Sequence, residues 1–178
     1  MTDDNVSARP ARRFTLASLL LALISPNVLA DSSGDGITSA ELMRYIPESL
    51  VGMERADDRA GDFSELQSSS AYTRFVSADG GTVAISISHN PNAANFFRMA
   101  PRASSRPVPA EGRKMAVFYN EAQTGWLIME EIEADRSAAM KTVIMPNDMI
   151  VEVSLRRIDH HLMDDFFGLL RLDELAER

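Results

Sequence analysis

The sequence predicts an α+β fold: an antiparallel sheet of about six strands, packed by a C-terminal amphipathic helix and one or two short helices. Three observations carry this expectation. Six apolar or alternating segments fall into three pairs, each pair is joined by a connection too short for a parallel crossover, and an apolar stripe of helical period follows the last pair.

The chain opens on a targeting pattern. Arg9, Arg12 and Arg13 form a basic region, Phe14 to Ser25 is apolar, and Pro26 precedes small residues at Val28 and Ala30. About a dozen apolar residues fall short of the roughly 20 that span a bilayer. We therefore read residues 1–30 as a secretory signal peptide cleaved after Ala30, and 31–178 as one α+β domain. The Arg12-Arg13 pair also invites a twin-arginine export reading, but the residues after it, Phe14-Thr15-Leu16, fit ordinary secretion better. The expected location is the periplasm, with release to the medium as the alternative.

Composition narrows the partners. Cleavage removes three of the 18 basic and two of the 26 acidic residues, leaving 15 and 24, a net charge of −9. Nucleic acid and anionic lipid are poor partners for such a surface, and no integral membrane segment is expected after the signal. Cysteine is absent, which excludes disulfides, thiol chemistry and cysteine-held zinc. A domain of this length buries about 68–70 % of its unfolded surface and needs no staples.

The first element is a short helix. Asp31, Ser33, Asp35 and Gly36 imitate the start of a calcium loop, but position 12 then falls on Leu42, and Glu41 is one residue out of phase. Thr38 and Glu41 instead make a capping box for a helix to about Tyr45, stopped by Pro47. After Ile46 to Arg55, read as a turn into an extended lead-in, the hairpins begin. Ala71–Ser77 and Thr82–Ser88 flank Asp79-Gly80, a strong hairpin turn. Val83, Ile85 and Ile87 form one face of the second strand and Ala84, Ser86 and Ser88 the other. A two-turn helix over Asn92–Met99 separates this pair from the next. Arg113–Asn120 and Gly125–Ile132 flank the second connection, and Met140–Met145 and Met149–Leu155 flank Pro146-Asn147-Asp148. From Asp159, which caps it, the last helix carries Leu162, Met163, Phe166, Phe167 and Leu170 on its apolar stripe. The residues from Leu172 either fray or add a last turn capped by Asp173.

This order of elements, from Ala71–Ser88 through the Asn92–Met99 helix and two later hairpins to Asp159–Leu170, is similar to the small α+β envelope modules of the PsbP/Mog1 type. The resemblance covers most of the mature chain and lies in the fold, not in a residue motif. It implies an accessory or assembly role and transfers no site residue.

Catalytic signatures of hydrolases, Rossmann proteins and phosphate loops are absent from the sequence. No cofactor is expected. His160 with Asp164, and His161 with Asp165, have helical i, i+4 spacing, yet each pair offers two ligands on its own face, so no metal site is assigned. Glu130 shares a face with Trp126, Ile128 and Ile132, which makes it either a carboxylate in apolar surroundings or a strand-end group reaching water.

The charge contrast lies elsewhere: Arg98, Arg102, Arg106, Arg113 and Lys114 surround a single acid, Glu111, beside Phe96 and Phe97. A basic, proline-containing loop next to an aromatic pair suits an acidic protein surface. These seven residues are the candidate partner-binding site. The functional expectation is a non-catalytic, exported envelope protein that binds or helps assemble an envelope protein partner. The alternatives are a periplasmic hydrolase using a carboxylate and a histidine, and a small-ligand or metal-binding module.

Overall fold

A computed structural model describes residues 36–103, 115–133 and 138–178. Its core is a seven-stranded antiparallel sheet: β1 (Met53–Phe63), β2 (Ser68–Ser77), β3 (Thr82–His89), β4 (Met115–Asn120), β5 (Leu127–Ile132), β6 (Ala138–Ile144) and β7 (Met149–Arg156). The spatial order is β1-β2-β3-β7-β6-β5-β4. Two meanders, β1–β3 and β4–β7, therefore meet where β3 pairs with β7.

All three predicted hairpins are present, and the mixed α+β class holds. Among the described residues the strand count is seven, not six. The additional strand is β1, which the sequence presents as a lead-in because Met53–Phe63 contains six charged residues and no β-branched one. It pairs along β2 from Met53 opposite Ser77 to Phe63 opposite Ser68, with a bulge between Arg55 and Asp57. Pairing and edge position override the weak intrinsic strand preference.

Helix α1 (Ser39–Met43) makes the capping box read from the sequence: the Thr38 hydroxyl accepts from the Glu41 amide, and the Glu41 carboxylate accepts from the Thr38 amide at 2.9 Å. Helix α2 (Pro91–Arg98) is capped by the Asn90 side chain, which accepts from the Ala93 amide at 3.0 Å. The expected C-terminal helix is divided. Asp159 caps a 3-10 turn over His160–Leu162, α3 runs over Met163–Gly168, and α4 over Leu172–Ala176. Gly168, a poor helix former, closes α3, and Arg171 leaves the helical region at ψ 64°.

One sheet face holds the main core. Phe75, Ile85, Val153 and Val143 lie beneath Leu42 of α1, Met163 and Phe167 of α3, and Leu175 of α4, all buried. Each such aliphatic or aromatic side chain contributes about 1.5–3 kcal/mol. On the opposite face α2 places Ala94 and Phe97 against Leu127, Ile144 and Ile150. This second layer covers the β5, β6 and β7 side near one end of the strands. Among the described residues no element covers the β2–β3–β7 part of that face, which holds a cavity.

Candidate ligand site on the open face of the sheet

The cavity follows from side-chain size. Strand alternation sends Ala84, Ser86 and Ser88 of β3 to the open face, with Ser70 of β2 and Ser154 of β7 beside them. Small residues on central strands, with larger ones around them, leave a trough of about 410 Å³. Tyr72 and Arg74 stand along β2, Arg156 lies at the end of β7, and Phe63, Leu66 and Ile150 close the opposite end.

Glu152 occupies the middle of the floor. Ser86 stands directly opposite it on β3 and Thr142 directly opposite on β6. Its half-buried carboxyl makes no hydrogen bond or ion pair among the described residues, and burial alone pushes it up to about 6. The Thr142 hydroxyl is buried with no hydrogen-bond partner among the described residues. Tyr72, opposite Ser86 on β2, is raised above its ordinary range by burial, with Arg74, Asp57, Arg59 and Arg156 all close enough to act on it. Near neutral pH such a site presents a desolvated carboxylate among hydroxyls, able to receive a cation. Below about pH 6 the same group becomes a hydrogen-bond donor.

The residues singled out in the sequence occupy other places. Glu130 is buried on the core face, where it accepts from the Tyr119 hydroxyl at 3.1 Å and lies 3.7 Å from the Lys141 ammonium. Lys141 in turn meets Asp164 at 2.6 Å and the Phe167 ring at 5.0 Å. This network ties β4, β5, β6 and α3 together and opens into no cavity described above. Asp164 is thereby drawn toward Lys141. The three donors that do converge are Asp159, His160 and His161, within 4.8 Å of one another, with one Asp159 oxygen already accepting from the His161 amide at 3.0 Å. His89 pairs with Met149 at the other end of β7, beside a second cavity that includes Asp62 and Gln67. The histidines therefore lie at opposite ends of the sheet.

Of the candidate partner-binding residues, Phe97 is buried in the second layer and Arg98 binds inward. Its guanidinium pairs with Asp148 at 2.7 Å and donates to the Met145 carbonyl at 2.8 Å. Phe96 is 62 % exposed, and Arg102 is exposed and donates to the Arg98 carbonyl. Arg106, Arg113 and Lys114 lie outside the described residues. Sequence reasoning missed Glu152. The available signal was a glutamate alternating with Val151 and Val153 on a strand paired at the centre of the sheet, which the alternation assigns to a solvated face.

Fold and site together define a small α+β domain built on one antiparallel sheet, with one face packed and the other holding a cavity. Comparison with family models, curated proteins and solved structures found no match. None of the described helices is long and apolar enough to cross a membrane.

Proposed function

We propose that this is an exported, non-catalytic binding protein whose open-face cavity takes a small ligand. The observation that carries the reading is Glu152: a carboxylate with no hydrogen bond or ion pair among the described residues, at the floor of a hydroxyl-lined cavity. Leaving such a group desolvated costs free energy that a bound ligand can return. Export rests on the basic and apolar N-terminal pattern, with cleavage after Ala30. The partner-binding surface on α2 is narrower than the sequence implies, since Phe97 and Arg98 make internal contacts. Phe96, Arg102 and Met99 remain exposed there for a protein contact.

The test is a thermal-shift screen of the purified protein against amino acids, peptides, amines, sugars and organic acids. Ser86→Trp, which fills the trough, is the control. A ligand that stabilises the native protein and not the filled variant supports the reading. Equal responses of both proteins to every compound sink it. N-terminal sequencing of exported material should begin at Asp31.

A further inference from the structure

We infer that the ligand of the open-face cavity is a small zwitterion with an apolar side chain: an amino acid or dipeptide with a free ammonium group and a free carboxylate. The inference rests on the preceding reading that the cavity takes a small ligand, and adds the ligand's chemical class.

Three zones succeed one another along the trough. Ser88 and Ile150 share one cross-strand row, Ser86 and Glu152 the next, and Ala84 and Ser154 the third, with Arg74 beyond Ala84 on β2. The following row carries Thr82 and Arg156. Neither the Arg74 nor the Arg156 guanidinium has a hydrogen bond or ion pair among the described residues, whereas Arg59, farther out on β1, is paired with Asp57 at 2.8 Å. The cavity therefore has a negative middle, a positive end and an apolar end formed by Phe63, Leu66 and Ile150.

That order of charges discriminates among ligand classes. A simple cation drawn to Glu152 lies near two guanidiniums. A simple anion drawn to the guanidiniums has the carboxylate beside it. A zwitterion meets both with opposite charge, as complementary recognition requires. An ammonium offers three donors, which the Glu152 carboxylate and the hydroxyls of Ser86 and Ser154 can accept, and a guanidinium fork matches a carboxylate. Scale agrees as well. Successive same-face rows lie about 7 Å apart at the usual strand rise, and two extended residues span about 7 Å. A dipeptide with its amino end at Glu152 thus carries its carboxylate to the Arg74 row. Its first side chain is free to turn toward Phe63 and Leu66.

Isothermal titration calorimetry of the full protein with leucine, leucyl-alanine, N-acetyl-leucyl-alanine and leucyl-alanine amide tests this. We expect leucine or leucyl-alanine to bind, and the acetylated and amidated peptides each to bind at least tenfold more weakly. In Glu152→Gln the penalty for acetylation should vanish. In Arg74→Gln/Arg156→Gln the penalty for amidation should vanish. Equal affinity for free and blocked peptides overturns the inference. So does the absence of zwitterion binding alongside another class whose binding is lost in Ser86→Trp, and in that case the cavity assignment stands. If no compound in the wider screen binds in a Ser86→Trp-sensitive way, both readings fall together.

Discussion

Glu152 and Thr142 are direct cross-strand neighbours on β7 and β6, and neither has a side-chain hydrogen-bond partner among the described residues. Two adjacent polar groups left unsatisfied near the centre of a sheet reduce stability. Each can be tested by removing its polarity with little change of shape.

For Glu152 the effect depends on pH. Its carboxyl titrates near 6 in the folded protein against an ordinary 4.5, so between these values the folded state holds more protons than the unfolded one. Stability is therefore highest below about pH 4.5 and declines as pH rises through 6, by about 2 kcal/mol for this group. Glu152→Gln should be more stable than the native protein by about that amount at pH 7.5 and equal to it at pH 4. Urea denaturation at the two pH values measures this; a difference that does not change with pH rejects it.

Thr142→Val removes the buried hydroxyl and keeps the branched shape. We predict a gain of about 1 kcal/mol in urea denaturation. A loss of stability would mean that the hydroxyl has a role in the native state. Combined with Glu152→Gln, the two effects should depart from additivity because the residues touch the same row.

Arg98 anchors α2 to the β6–β7 turn through Asp148 and the Met145 carbonyl. Both charged side chains are about a third exposed, which screens the pair, so Arg98→Ala should cost about 1–2 kcal/mol. Hydrogen exchange should accelerate in α2 and remain unchanged in β2. Uniform acceleration across the sheet would contradict a local anchoring role.

Gly81 has no room for a side chain. A Cβ there would meet Ser77 Oγ at 2.8 Å, Ile158 Cγ1 at 2.9 Å and the Arg157 carbonyl at 3.1 Å. Gly81→Ala should lower stability by about 1–3 kcal/mol. Gly36→Ala, with nothing within 4 Å among the described residues, should be nearly silent. Matching melting temperatures for the two variants would refute the packing argument.

The hairpins were legible because their signals are local. Asp79 and Gly80 specify the β2–β3 turn, where Gly80 adopts φ 81°, and the alternation from Val83 to Ile87 fixes which side chains enter the core. The α1 capping box is likewise four residues long. What escaped depends on distant neighbours. β1 is a strand because β2 lies beside it, and the break in the C-terminal helix comes with Leu170 and Leu175 both packing into one core. Glu152 looks like a solvated residue until the serine-bearing strands are placed around it. No spacing rule in one chain segment contains that placement.

The seam between the two meanders gives the trough a further property. Ser86 and Tyr72 come from the first half of the chain, Glu152 and Arg156 from the second, and they share one surface only after β3 has zipped to β7. Each meander forms through local contacts, whereas the seam closes a long loop and is the slow, entropically expensive step. Occupancy of the trough thus acts as a clasp across the two halves: a bound ligand slows their separation more than it stiffens either half alone.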